Sequence, residues 1–107
     1  MSIIENIGDI EFVILDFETT GLFPNKHRVI EVGAAIVKGA AIISTFSSLC
    51  LPDLKTKIPS IVTKLTGISI EMLQNKPTTS EVILKLVSFI GSRPVLAHNV
   101  MIFYFRY

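Results

Sequence analysis

Two acidic residues, Asp16 and Glu18, follow the apolar run Phe12-Val-Ile-Leu15 and are followed by the turn residues Thr19-Thr20-Gly21. An apolar run bounded in this way predicts a central β-strand. Residues two apart in a strand face the same side, so both carboxylates project together with their Cα atoms about 7 Å apart. A cation between them removes their repulsion, and hard oxygen ligands favour Mg²⁺ or Mn²⁺. The spacing predicts a divalent-metal site; the alternative is that the two acids merely solvate the end of the strand.

The composition predicts one small domain without a broad charged surface. The chain has 107 residues and a formal net charge of +1, from 10 basic and 9 acidic side chains. This length suits a single domain, and the balanced charge excludes the strongly basic surface of an obligate nucleic-acid or membrane-surface binder. The longest uncharged run, residues 39–52, is shorter than the roughly 20 residues that a membrane-spanning helix needs. With one cysteine, Cys50, and no basic residue before Lys26, the chain is predicted to be cytoplasmic, with a buried thiol.

Changes in the hydrophobic period predict the elements that position the two acids. Three strands should come first, with a hairpin turn at Lys38-Gly39 joining the second strand to an antiparallel third. A capping box formed by Thr78 and Glu81 should begin the clearest helix, which Gly91 should end. A short buried strand should follow that helix. The predicted strands are 12–15, 28–38, 40–51 and 94–97, and the predicted short helical pieces are 60–65 and 69–75.

Four segments of the chain resemble, in order and spacing, the DEDDh 3′–5′ exonucleases, a family that contains the epsilon proofreading subunit of bacterial DNA polymerase III and ribonuclease T. Leu15-Asp-Phe-Glu-Thr-Thr-Gly21 is similar to the first motif of that family, and Arg28-Val-Ile-Glu-Val-Gly-Ala-Ala35 is similar to its second strand. Leu65-Thr-Gly-Ile68 resembles its T/H-G-I segment, and Leu96-Ala-His-Asn99 resembles the opening of its second motif. Together the four segments make the resemblance specific.

The resemblance implies an α/β fold with a ribonuclease-H-like mixed sheet: three antiparallel strands, helices and one further parallel strand, incomplete at the C-terminus. It also implies removal of nucleotides from a single-stranded 3′ end by water held between two ions of Mg²⁺ or Mn²⁺, with a DNA polymerase subunit as a further partner. Carried over from the family, Asp16 and Glu18 are catalytic metal ligands. For Leu65, plain core packing is the alternative to a substrate contact. The residues expected to contact the terminal nucleotide are Thr19, Thr20, Leu22, Leu65 and Thr66.

The sequence departs from the family at the third acid and at the general base. The family places an aspartate at position 103, where this chain has Phe103, which cannot bind a metal. The family's histidine, with an aspartate five residues later, has no counterpart either. His98 is expected to cap a helix and support a loop, and His27 is given no role. We therefore expect at most one weakly bound ion and no useful catalysis from these residues alone.

The chain is predicted to be a single partial exonuclease domain over residues 1–107, in which 9–100 match the family and 101–107 form an aberrant tail. A shift of reading frame near Val100 is one explanation of the tail, and a chain cut or miscalled at this point is the other. Because the sheet is strongly apolar, the isolated chain is expected to be marginally folded or to self-associate.

Two other functions remain open at this point. The first is a non-catalytic binding or interaction module that keeps the exonuclease shape without the chemistry. The second is an aspartate-nucleophile phosphatase, since Asp16-Phe-Glu-Thr-Thr20 is one substitution from the D-x-D-x-T pattern of that class. Asp16 would then be a covalent nucleophile instead of a metal ligand. The paired strands predicted after the first motif argue against this alternative, because such a fold needs a helix there.

Overall fold

The computed structural model of the chain describes residues 7–21, 28–52 and 57–97. None of the helices in these ranges is long and apolar enough to cross a membrane. The order of the elements follows the sequence prediction, although the second helical piece is only a 3₁₀ turn. The strands are β1 (Glu11–Thr19), β2 (Val29–Lys38), β3 (Ala41–Leu49) and β4 (Val95–Ala97); the α-helices are α1 (Ser60–Thr66) and α2 (Thr79–Ile90); short 3₁₀ segments lie at Ile7–Asp9 and Ile70–Leu73.

The strands form one mixed sheet in the spatial order β3-β2-β1-β4. β1 and β2 are antiparallel, β2 and β3 are antiparallel, and β4 lies parallel to β1. The hairpin between β2 and β3 turns through Gly39, whose φ of 61° lies in the left-handed region that favours glycine. This topology confirms the predicted mixed sheet of three antiparallel strands and one further parallel strand.

β1 has one buried face and one open face. Val13, Leu15 and Phe17 are buried, whereas Ile14 and Asp16, which alternate with them, are exposed. This is the alternation that a strand imposes on successive side chains. The hydrophobic positions of β1 therefore anchor it to the core and leave the acidic positions on the opposite side of the sheet.

α2 covers the buried face of the sheet. The Thr78 hydroxyl accepts a hydrogen bond from the Glu81 N–H at 3.2 Å, and the Glu81 carboxylate accepts one from the Thr78 N–H at 3.1 Å, so the predicted capping box is present. Val82 and Leu86, one helical turn apart, pack in the same cluster as the buried side chains of β1. The helix ends at Gly91, as the sequence predicts.

A second cluster ties α1 to the start of β2. Ile30, Ile68 and Leu73 are buried together, and Val62 of α1 packs against them. Ile30 lies in β2 beside the point where β1 ends, because Thr19 and Val29 are partners across the β1–β2 pair. The segment that follows α1 is therefore held at the same end of the sheet as the end of β1.

β4 is more exposed than the sequence predicts. A buried strand was expected from its apolar residues, but Val95 is exposed and 60% of Leu96 is accessible to solvent. β4 lies at an edge of the sheet with β1 as its strand partner, whereas α2 makes its main sheet contacts with β2 and β3. The described residues therefore leave this apolar strand largely uncovered.

The packing of α2 predicts very different costs for the same substitution at two of its positions. Leu86 is only 1% exposed and Leu84 is 67% exposed. Leu86→Ala should lower the free energy of unfolding by about 2–5 kcal/mol, because it leaves a cavity under the helix. Leu84→Ala, the matched control, should change it by about 0.5 kcal/mol or less. Urea denaturation followed by circular dichroism measures both values, and equal losses would contradict the described orientation of α2.

Candidate active site

Asp16 and Glu18 lie on the open face of the sheet, as the sequence predicts. Asp16 is exposed and Glu18 is partly buried. Their partners across the β1–β2 pair are Gly33 for Asp16 and Glu31 for Glu18. Asp16 and Glu18 belong to a central strand, and pairing with β2 holds their backbone. Both residues lie near the end of β1, next to the turn at Thr19.

Glu31 is a third carboxylate on this face, which the sequence analysis does not single out. It stands directly opposite Glu18 in the antiparallel pair. Burial, then the charge of Asp16, then the charge of Glu31 raise the pKa of the Glu18 carboxyl above its ordinary value. Only the register between β1 and β2 places Glu31 opposite Glu18. No motif spacing in the sequence specifies that register. The open face thus concentrates negative charge around Glu18.

Cys50 is buried, as predicted, and takes no part in this acidic site. Burial, with a smaller contribution from the charge of Glu31, raises the pKa of its thiol to about 11. A thiol with this pKa remains protonated at neutral pH and is a poor nucleophile. Cys50 therefore acts as a small apolar side chain of the core.

Thr20, an expected nucleotide contact, is almost completely buried in this structure. Its hydroxyl accepts a hydrogen bond from the Arg28 N–H at 3.0 Å, and its own N–H donates to the Arg28 carbonyl at 2.9 Å. The two bonds clamp the end of β1 to the residue before β2. Thr20 therefore holds the end of β1 close to Arg28. Its hydroxyl is buried and bonded to the backbone.

Thr19 shapes the turn that follows β1. Its hydroxyl donates to the Gly21 carbonyl at 2.5 Å, and the Gly21 N–H approaches the same hydroxyl oxygen at 3.4 Å. Such side-chain bonds to the backbone two residues on are typical of threonine in turns. The turn is thus set locally, beside the two acids.

Leu65 is 80% exposed, so the alternative that it packs in the core is wrong. Its position is set by the end of α1. The Thr66 hydroxyl donates to the Val62 carbonyl at 2.8 Å and accepts from the Ile68 N–H at 3.1 Å, while Gly67 ends the helix with φ 77°. Because Ile68 is buried beside Ile30, the apolar side chain of Leu65 is presented at the same end of the sheet as Thr19.

The remaining residues singled out by sequence lie outside the described residues. These are Leu22 and His27 in the segment 22–27, and His98 and Phe103 in the segment 98–107. Within ranges 7–21, 28–52 and 57–97, no three His, Cys, Asp or Glu side chains are grouped closely enough to hold a metal ion. The described part of the site therefore supplies the paired acids Asp16 and Glu18 but not a complete set of ligands.

The chemistry of the paired acids fits a hard divalent cation. Both donors are carboxylates, the class of ligand that Mg²⁺ and Mn²⁺ prefer. Burial first, and then the charges of Asp16 and Glu31, disfavour the charged form of Glu18 and raise its pKa. A cation bound at this face would offset that cost.

Comparison with known proteins identifies the family of this chain. A family model described as an exonuclease matches residues 13–105, which extends into the segment that the sequence analysis treats as a tail. A PolC-type DNA polymerase III of Thermotoga maritima is 39% identical over 86% of this chain and 7% of the relative. The epsilon subunit of DNA polymerase III from Aquifex aeolicus is 38% identical over 90% of this chain and 46% of the relative. The chain thus spans less than half the length of either relative.

Solved structures show the same fold. Product-bound exonuclease I has a TM-score of 0.74 at 19% identity and covers 85% of this chain and 22% of its own, a likeness of fold alone. A full-length 3′-exonuclease has a TM-score of 0.64 at 25% identity and covers 74% of this chain and 28% of its own. The next described element after β1 is the strand β2, where an aspartate-nucleophile phosphatase needs a helix. With the family model matched over most of its length, this chain belongs to the exonuclease family.

Proposed function

We propose that this chain is part of a 3′–5′ exonuclease domain that acts on the 3′ end of single-stranded nucleic acid by metal-assisted phosphodiester hydrolysis. The observation that carries the proposal is the pairing of Asp16 and Glu18 on the open face of β1 in a chain of the exonuclease family. The relatives carry the names of DNA polymerase III components, so the partner we propose is a DNA polymerase subunit in the cytoplasm.

Asp16 and Glu18 are the residues that would hold the metal. The chemistry that Mg²⁺ or Mn²⁺ would supply there is activation of a water nucleophile and stabilisation of the charge that develops on the attacked phosphate and the leaving oxygen. In the complete family site two ions share this role, and we propose that these residues bind at most one, weakly. The protein holds the carboxylates of Asp16 and Glu18 close together. The opposite face of β1 is packed in the core, which keeps the strand in place.

The nucleotide contacts we propose fall into two kinds. Leu65 offers an exposed apolar surface on which a base or sugar can pack. For Leu22, which lies outside the described residues, the proposed contact rests on its sequence position alone. Thr19 and Thr66 shape the turns beside the site with bonds to the backbone. Thr20 contributes indirectly, because its hydroxyl accepts a hydrogen bond from the Arg28 N–H and so stabilises the end of β1 beside the site.

We propose that residues 1–107 alone form a partial domain with no useful catalytic rate. Position 103, where the family has its third acid, is Phe103, and neither His27 nor His98 has an aspartate five residues later. Loss of one preorganised stabilising group often lowers the rate by roughly 10²–10³-fold, and the third acid and the general base with its paired acid are lacking here. A nucleic-acid-binding role can survive that loss, because binding depends on Leu65 and the turns rather than on the complete acid set.

The first prediction from the proposed function concerns the metal. Mn²⁺ added to the folded chain should broaden the amide NMR signals nearest to Asp16 and Glu18, because the ion is paramagnetic and these are its proposed ligands. Asp16→Asn removes a charged ligand while keeping the side-chain shape, and it should abolish the selective broadening. Asp9→Asn, at an exposed acid outside the site, is the control and should leave it unchanged. Broadening that survives Asp16→Asn would refute the assigned ligands.

The second prediction concerns the nucleotide contact. Leu65→Ser should weaken binding of a 5′-labelled single-stranded oligonucleotide about fivefold, the loss expected for about 1 kcal/mol of apolar contact. Ile61→Ser is the matched control, because Ile61 is 58% exposed on the same helix and has no proposed substrate role. Fluorescence anisotropy measures the affinities, and gel analysis of the same samples detects shortening from the 3′ end. Equal losses of affinity in the Leu65→Ser and Ile61→Ser variants would contradict the Leu65 contact. Shortening of the oligonucleotide by the unmodified chain, if Asp16→Asn abolishes it, would contradict the proposed inactivity.

The third prediction concerns the charge of the open face. Since the pKa of Glu18 is raised in the folded protein, the folded state holds its proton to higher pH than the unfolded state does. The Glu18 contribution to stability should therefore decrease as the pH rises from the ordinary value of 4.5 through the raised pKa, and it should be absent in Glu18→Gln. Carboxyl ¹³C NMR titration should also show that Glu31→Gln lowers the pKa of Glu18, whereas the exposed control Glu71→Gln does not. A Glu18 pKa that ignores Glu31→Gln would show that the two carboxylates do not interact.

A further inference from the structure

The pairing of β1 with β2 contains an extra residue directly beside the proposed metal ligands. Glu18 lies opposite Glu31. The next pair joins Thr19 to Val29, so Ile30 is an extra residue in β2. Two residues on one strand opposite a single step of the other define a β-bulge, which bends the strand, increases its local twist and redirects nearby side chains. This bulge lies where β1 passes from the acids to the Thr19 turn.

The extra residue connects the two halves of the proposed site. Ile30 is completely buried against Ile68 and Leu73, which follow α1. The Ile68 N–H donates to the hydroxyl of Thr66, the residue next to Leu65. Along β2, Ile30 also lies between the two residues that pair with the end of β1. The bulge therefore sets the end of β1 relative to the segment that carries Leu65.

Two hydrogen bonds from outside the β1–β2 pair hold the bulge. The β2–β3 pairs start at Glu31, and just beyond them the Cys50 N–H donates to the Ile30 carbonyl at 2.8 Å. The Val29 carbonyl accepts instead from the Thr79 hydroxyl of α2, at 3.2 Å and 50 residues along the chain. A helix side chain thus takes the place of a strand partner for the first residue of β2.

Thr79 can hold the bulge because its own backbone is fixed. Its N–H donates to the Leu51 carbonyl at 3.2 Å, and it directly follows the N-cap residue of α2. The residue before Val29 is Arg28, whose N–H and carbonyl are both bonded to Thr20. A short path of hydrogen bonds and backbone therefore runs from α2 through the start of β2 to the end of β1.

We propose that Thr79 is a positioning residue for the metal site, since its hydroxyl holds the bulge that directs Glu18 and the Thr19 turn. This role rests on the proposed function, in which Asp16 and Glu18 are the metal ligands. Without the hydroxyl, the partly buried Val29 carbonyl loses its partner in α2, and the bulge is free to relax. Glu18 should move more than Asp16, because the β1–β2 register is regular before Glu18.

Hydrogen exchange, measured by NMR on the complete 107-residue chain, tests whether Thr79 holds the end of β1. The Thr20 N–H donates to the Arg28 carbonyl, so its exchange rate reports opening beside the bulge. Thr79→Val should accelerate Thr20 exchange about fivefold relative to the Val13 amide, nearer the start of β1. Thr79→Ser keeps the hydroxyl and should not. Thr79→Ala, which suits a helix better than valine, should repeat the acceleration if valine disturbs folding.

Thr78→Ala separates positioning from a general loss of helix stability. It removes the hydroxyl that caps α2 and so destabilises the same helix end, but it leaves the bond from Thr79 to Val29 in place. Thr20 exchange in this variant should match that of the unmodified chain. Unchanged Thr20 exchange in Thr79→Val, or equal acceleration in Thr79→Val and Thr78→Ala, would overturn the proposal.

Binding of Mn²⁺ tests whether the bulge positions the metal ligands. Thr79→Val should raise the Mn²⁺ dissociation constant, measured from the broadening near Asp16 and Glu18, about threefold, less than the roughly tenfold loss typical of a residue bonded directly to a ligand. Thr79→Ser and Thr78→Ala should bind Mn²⁺ as the unmodified chain does. Equal dissociation constants for Thr79→Val and the unmodified chain would overturn the positioning role. An unmodified chain without selective broadening would contradict the proposed function instead, and the exchange rates would still decide whether Thr79 holds the end of β1.

Discussion

The strict alternation of β1 is the constraint on which the rest of this structure depends. Val13, Leu15 and Phe17 enter the core beneath α2, and this burial fixes the direction of every intervening side chain. A shift of one residue in the pairing of β1 would turn the apolar set outward and the acids inward. The burial of uncompensated carboxylates would then add to the loss of the core, so the hydrophobic pattern and the position of Asp16 support each other.

The same constraint creates an electrostatic cost. Once β1 and β2 pair in this register, Glu18 stands opposite Glu31 and on the same face as Asp16. Burial, then the charges of Asp16 and Glu31, raise the pKa of the Glu18 carboxyl, so the charged form of Glu18 is disfavoured at this position. A cation bound at this face would offset that cost, which is the physical basis of the metal site in the proposed function.

Local sequence pattern was sufficient for the elements and for the paired acids, because both follow from periods of two and 3.6 residues and from the capping box at Thr78. Glu31 was missed because its place depends on the register between two strands, which no motif spacing specifies. The burial of Thr20 was missed for a similar reason: its hydroxyl is bonded to Arg28, eight residues away. The exposure of Leu96 could not be predicted from an apolar run, since burial depends on whether another element covers the strand.

The positions of the two kinds of site residue are fixed by different means. Asp16 and Glu18 are held by strand pairing and by the core beneath them, so their backbone moves only if the sheet moves. Leu65 is held by a helix end, where the Thr66 hydroxyl bonds both the preceding turn and the Ile68 N–H. A helix end stabilised mainly by its own side-chain bonds and one buried residue opens locally at lower cost than a central strand. In the proposed nucleotide complex, the two acids would therefore keep their positions and the Leu65 segment would adjust to the nucleotide.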